Sequence, residues 1–296
     1  NAFHGSAFEF FRDKSLNANS YNNKVRTPIA PRSPFRVHQF GASLGGPILK
    51  DKAFFFVSYD GQRQTIPNTI PVNLPANLPN DPDTQAGLAL VQAQDTEYPS
   101  TRDQNVLLAK VDYQLNVKHR LSLRYNHQNF TGANNESTSG SLDHSGDSLV
   151  RTRTFNAALS SVMSPTLYNE FRAQFARDQE PGLANSEDPE VTARQGGQTI
   201  LVFGRNFFSP RETTIKRWQV ADTVTLIRGA HAWKVGADFN HDDILNFFPG
   251  NFGGRYTFNS LASLGRGIPD GAGESFQQAF AGLNTTGPTT TPNITE

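Results

Sequence analysis

The 296-residue chain contains no cysteine. Disulfide frameworks and thiolate metal sites are therefore excluded, and the absence by itself says little about compartment. Long apolar runs are missing too. No stretch of about 18 apolar residues occurs, so no transmembrane helix is encoded. That leaves membrane-crossing strands open, because barrel strands are short and alternating and keep hydropathy averages low. Net charge is also lacking: 27 basic residues balance 27 acidic ones, so no broad attraction to nucleic acid is implied. No signal-peptide pattern opens the sequence. Asn1 leads almost directly into a strand-like pattern, and the last residues before Glu296 form a Thr/Pro/Asn tract. The chain therefore reads as a piece of a longer one.

What is present points to strands. Phenylalanine dominates the aromatics, 23 against 7 Tyr and 2 Trp, while 24 Gly and 18 Pro are spread through the connections. Both fit a β-rich protein with large loops. In "RLSLRYNHQNF" (Arg120 to Phe130), Leu121, Leu123 and Tyr125 alternate with Ser122, Arg124 and Asn126. Alternate residues of a strand point to opposite faces, so one face is apolar and the other polar. Similar runs are predicted over 2–12, 37–49, 53–64, 105–116, 154–163, 167–178, 216–228 and 231–240, with weaker ones over 252–258 and 275–280 and a short helix over 259–264. Asp222 breaks the apolar face of its run. The total is about ten strands.

The connections alternate between short and long. Short ones fall at Lys50-Asp51-Lys52, Asn116-Val117-Lys118, Ser164-Pro165-Thr166 and Arg228-Gly229-Ala230, each carrying turn-type residues. Long ones run over 13–36, 65–104, 131–153 and 179–215. A meander of antiparallel neighbours sends every second connection to the same end. All short turns then lie at one end and all long loops at the other, as in outer-membrane barrels. A Greek-key sandwich has no reason to show this asymmetry. The fold expected is all-β: a partial antiparallel meander transmembrane β-barrel, about ten strands of a larger one, with long extracellular loops. Tyr113, Trp233 and Phe55 sit on apolar faces near short turns, where an aromatic girdle would lie. The polar faces supply candidate lumen-facing residues: Lys110, Asp112, Arg124, Asn126, Glu170, Arg172, Lys234 and Asp238.

"NAFHGSAFEFFRD" (Asn1 to Asp13) followed by "HQFGASLGGPILKDKAFFFVSYDGQRQ" (His38 to Gln64) resembles the TonB-dependent transporters of the Oar-like kind, in the first barrel strands after the plug. "LLAKVDYQLNVKHRLSLRYN" (Leu107 to Asn126), "GAHAWKVGADFN" (Gly229 to Asn240) and "GGRYTFNSLASLGRG" (Gly253 to Gly267) are similar to later hairpins and an extracellular segment, in the same order. The resemblance implies a barrel of about twenty-two strands closed by a plug. It implies energy delivered through TonB, and a carboxypeptidase-regulatory-like domain ahead of the plug. The expected partners are outer-membrane lipid, the chain's own plug, the TonB complex and an unidentified extracellular ligand. Residues 1–296 would be part of the barrel domain in a Gram-negative outer membrane, with plug and C-terminal strands outside the chain. An adhesion or structural barrel is the alternative, and a soluble carbohydrate-binding β-sandwich a weaker one.

Catalytic, metal and cofactor motifs are not evident, and an enzyme is the least supported reading. "NHDD" (Asn240 to Asp243) offers oxygen and imidazole ligands but reads as the top of a strand. "LDHSGDS" (Leu142 to Ser148) lacks calcium-loop spacing and reads as a solvated loop. "SLGGPI" (Ser43 to Ile48) lacks the ending of a phosphate loop, and its glycines leave room for another backbone, such as the plug. The lipid side is expected on the Leu121, Leu123, Tyr125 face. Leu123→Arg should therefore impair insertion, or cost about 2–4 kcal/mol at mid-bilayer, while Arg124→Ala leaves assembly largely intact. Heat-modifiable gel migration of membrane fractions ranks the two variants, and the reverse order overturns the assignment.

Overall fold

The computed structural model describes residues 2–278 and 294–295, apart from 26, 27, 69, 71, 73, 95, 96, 138, 249 and 252. Ten strands form one sheet: β1 (His4–Asp13), β2 (Arg36–Leu49), β3 (Ala53–Asn68), β4 (Tyr98–Gln114), β5 (His119–Gly132), β6 (Ser148–Ser164), β7 (Leu167–Gly182), β10 (Arg211–Arg228), β11 (His231–Phe247) and the short β14 (Ile294–Thr295). Every neighbouring pair is antiparallel and the spatial order follows the chain order. The sheet is not closed: among the described residues, β1 pairs only with β2. It is part of an all-antiparallel barrel, and closure needs further strands.

The short turns form where the sequence places them. Asp51 adopts a left-handed φ of 59° and Gly229 one of 62°. Asn116 accepts from the Lys118 and His119 amides at 2.9 and 3.1 Å, folding the second turn on its own side chain. At the other end the strands overrun their alternating segments. β4 begins at Tyr98, seven residues before the periodic stretch, because "YPSTRDQ" pairs with β3 without an apolar face to announce it. A strand of 17 residues exceeds the about 9–11 needed to cross a bilayer, so the long-loop end projects beyond any membrane.

Register fixes the faces. Val111, Leu123, Ala157, Ala173, Val220 and Phe239 are successive cross-strand partners, and so are Tyr125, Phe155, Phe175 and Trp218. Asp222 does lie on this face, where the Asn169 amide donates to it at 2.5 Å. The glycines of β2 and β3 are covered by aromatic rings of the described chain: Phe8 lies over Gly41, Phe3 over Gly46, Phe40 over Gly61. Within "SLGGPI" a Cβ at Gly46 would meet the Phe3 ring, and one at Gly45 would lie 3.2 Å from both the Phe55 carbonyl and the Phe56 ring.

Apart from Tyr98, the first residue of β4, the buried apolar cluster lies outside this sheet. It lies among the long connections, where Ile70, Val91, Tyr98, Ala193, Ile200, Leu201, Phe258, Leu261 and Leu264 pack together. Besides the short α1 (Tyr21–Lys24), two helices occur here, α2 (Pro82–Gln94) and α3 (Leu261–Arg266). A second, four-stranded sheet joins them, ordered β13 (Ser275–Gln277), β12 (Arg255–Phe258), β8 (Glu190–Gln195) and β9 (Gln198–Phe203). Gly87 of α2 faces the Leu261 carbonyl and Gly265 of α3 faces the Asp83 carbonyl, so each helix approaches the other where no Cβ intervenes. Asp81 caps α2 through the Thr84 amide at 2.9 Å, and Gly267, at φ 70°, ends α3. The short helix expected over 259–264 is thus present, shifted by two residues.

Sequence periodicity misses three of these elements. α2 has apolar residues all round rather than in one stripe, and β8 and β9 are six residues each inside a 179–215 segment read as loop. The strands expected over 252–258 and 275–280 are β12 and β13 and belong to the cap, not to the large sheet; Phe252, Ala279 and Phe280 lie outside the described residues. Because the cap has its own core, Leu261→Ala should loosen it alone, at about 2–5 kcal/mol. Limited proteolysis should cut within 183–210 faster, while heat-modifiable migration of the barrel stays unchanged.

Candidate functional site

The eight residues singled out from the sequence all lie on the face opposite Leu121, Leu123 and Tyr125. Register places Asp112 beside Ser122, and Lys110 beside Arg124. Farther along, Ala158, Arg172, Ala221 and Asp238 are successive partners. The eight fall into two groups rather than one. On β4 and β5, the Lys110 ammonium lies 2.8 Å from the Asp112 carboxylate, Arg120 lies 3.6 Å from it, and Arg124 donates to Asn126 at 3.1 Å. On β7, β10 and β11, Arg172 lies 3.9 Å from Glu170, and the Gln219 amide donates to both Asp238 oxygens at 3.0 and 2.9 Å. Lys234 sits four residues from Asp238 toward the short turn, opposite Thr225.

Arg172 and Asp238 of the second group line a cavity of about 330 Å³ together with Asn156, Ala158, Gln174 and Gln219. Asn156, Gln174 and Gln219 were missed because neutral amides carry no charge signal. Their strand parity alone would have found them, since they are successive partners of Arg124. Toward β1 the same face changes character. Phe54 and Phe56 join Ser58 and Asp60 there, so the face is mixed over β3, not uniformly polar.

"NHDD" lies inside β11, not at its end. Alternation sends Asp242 and Asp243 to opposite faces, where Arg217 holds Asp242 at 2.7 and 3.0 Å and Lys216 holds Asp243 at 3.0 Å. Among the described residues no group of three potential ligands is gathered for a metal.

The two loops favoured for ligand selection, 65–104 and 179–215, come together in the cap. Val91 and Tyr98 of the first pack with Ala193, Ile200 and Leu201 of the second. A polar cluster crosses the same cap. Glu190, 2% exposed, faces Arg255 at 2.8 Å, accepts from the Phe207 amide at 3.1 Å and lies 3.8 Å from His144. His144 also meets the Gly204 carbonyl at 3.3 Å. The "LDHSGDS" segment is therefore not a solvated loop: it forms a 3-10 turn with His144 and Ser145 buried. The sequence did not reveal this because His144's partners are 46 and 60 residues away.

A family model described as the outer membrane beta barrel domain matches residues 1–79 and 72–295. The chain belongs to the outer membrane beta barrel domain family. Its place is the outer membrane of a Gram-negative bacterium. No curated protein matches this outer-membrane barrel. Its fold is similar to that of the siderophore receptor PirA from Acinetobacter baumannii, with TM-score 0.52 and 9% identity, over 85% of this chain and 31% of that one. It is similar also to the outer membrane transporter YddB from Escherichia coli, with TM-score 0.52 and 9% identity, over 86% of this chain and 33% of that one. The barrel segment thus spans about a third of each of those chains.

Burial holds the His144 imidazole below its ordinary value of 6.5, an effect the Glu190 carboxylate opposes. The unfolded cap then binds more protons than the folded one once the pH falls below about 6.5, so stability is full above that value and declines beneath it. Amide exchange over 191–203, corrected for intrinsic rates, should accelerate as the pH is lowered from 7.5 to 5.5. His144→Gln should flatten that dependence.

Proposed function

We propose that the chain is the leading portion of a TonB-dependent receptor barrel of the Oar-like kind, working in energised uptake of an extracellular ligand. One observation carries the reading: long connections from a single end of the sheet fold into a cap with its own core, above a wall whose polar face holds a cavity. A bare pore needs no such cap, whereas a receptor needs a shaped outer surface on rigid strands. The structures of similar fold, a siderophore receptor and an outer membrane transporter, favour the same class.

On this reading residues 1–296 are one partial barrel domain. The cap captures ligand, and Lys110, Asp112, Arg124, Asn126, Glu170, Arg172, Lys234 and Asp238 face the lumen, where they meet ligand or plug. The plug and the TonB complex are the partners that open a path. The gene tests the uptake claim. A plug and a TonB box encoded ahead of Asn1 support it, and their absence from the complete reading frame turns the reading to an adhesion or structural barrel.

The lumen assignment is tested separately, and the cysteine-free sequence makes it clean. Asn126→Cys and Gln174→Cys in the assembled protein should react with a water-soluble maleimide, while Leu123→Cys and Phe155→Cys should be shielded. The opposite labelling pattern would reverse the two faces.

A further inference from the structure

On the face that carries Leu123, the aromatic row Tyr125, Phe155, Phe175, Trp218 crosses four adjacent strands, with the Phe175 and Trp218 rings 4.3 Å apart. One step toward the long loops the residues change abruptly. The next row of partners reads His127, Arg153, Arg177, Lys216, and Arg151 stands one step above. Among the described residues the only acid in that basic row is Asp243, paired with Lys216 at 3.0 Å.

No carboxylate of the described residues lies within ion-pair distance of Arg151, Arg153 or Arg177. On the opposite face at a similar height, by contrast, Arg217 is neutralised by Asp242 at 2.7 Å. Two ring or guanidinium nitrogens of the basic row, His127 Nδ1 and Arg177 Nε, are buried without a hydrogen-bond partner. Arg177 and Lys216 also line a cleft of about 170 Å³ with Gln179, Thr214 and two acids, Asp243, which Lys216 holds, and Glu212, which accepts from the Thr214 hydroxyl at 3.0 Å.

Height decides what meets this row. Trp233, beside the short turn, pairs with Leu226, eight residues along β10 from Trp218. At ~3.3 Å per residue and a tilt of about 40°, the two tryptophan levels are about 20 Å apart. The basic row lies about 5 Å higher, at the outer edge of an apolar band about 25 Å tall. Unpaired cations at that level face headgroups of the outer leaflet, which in this membrane is built of phosphorylated glycolipid. Arginine forks match phosphate oxygens two at a time.

We propose that His127, Arg151, Arg153, Arg177 and Lys216 form a binding site on the outer wall for the phosphate groups of an outer-leaflet glycolipid. The aromatic row below supports the sugar and upper acyl region. The site lies on the wall opposite the lumen-facing residues and does not depend on what the cap captures.

The test uses the full-length protein, extracted from outer membranes in mild detergent and analysed by native mass spectrometry with added bisphosphorylated lipid A. Wild type should retain the lipid, and Arg153→Ala/Arg177→Ala should lose at least ten-fold of it, with Arg124→Ala as the unaffected control. Enzymatically dephosphorylated lipid A should bind at least ten-fold less. Retention unchanged in the double variant, or equal binding without phosphate, overturns the proposal. Full displacement by millimolar inorganic phosphate would also overturn it, showing a free-anion site instead. If the double variant fails to assemble, Arg177→Gln alone is read against the same lipids, and wild-type retention by it would sink the idea.

Discussion

Backbone polar groups cannot be left unpaired in hydrocarbon, and the rest of this structure depends on that constraint. Each unsatisfied amide or carbonyl there costs several kcal/mol, so a crossing strand must pair along both edges. The chain meets the demand by laying successive strands side by side from β1 to β11, interrupted only by the β8–β9 hairpin that belongs to the cap. Pairing in strict register then sets the faces, because a slip by one residue would exchange every apolar side chain for a polar one. The row from Val111 through Leu123 to Phe239 is apolar throughout because six strands obey the same register.

The wall and the cap are stabilised by different physics. In the wall the large hydrophobic side chains have no protein core to enter, so Trp218, Trp233 and Phe239 remain more than half exposed in the isolated chain. Lipid, not a protein core, accepts that surface. The cap stands in water and follows the usual rule, with Val91 and Leu261 fully buried. Its polar cluster around Glu190 ties distant loop segments together, since Arg255 and His144 reach the same carboxylate from opposite sequence directions.

On the proposed function and the proposed lipid site, transport, lipid anchoring and ligand capture would occupy three separate surfaces of this arrangement. The polar face holds paired charges and amides beside a cavity. The outer face is apolar for most of its height and then abruptly cationic. The cap is built from the long connections and has its own core. A single strand such as β10 serves two of these surfaces at once, with Gln219 and Arg217 on one side and Trp218 and Lys216 on the other.

The sequence by itself determined the meander, its short-turn end and the membership of both faces from β4 to β11. Each depends on near-neighbour chemistry: period-2 alternation, and turn residues such as Asn116 and Gly229. It also made the eight polar-face residues legible, because seven of them carry charge within an alternating run and Asn126 shares the parity of Arg124. Only the tertiary structure decided the rest. The cap could not be read because its core joins residues from 70 to 264, and α2, β8 and β9 are too short or too evenly apolar to show a period. The cationic row could not be read because Arg153, Arg177 and Lys216 are far apart in sequence and become neighbours only when register brings their strands together. Local pattern fixes which way a side chain points, and pairing between strands fixes what it stands beside.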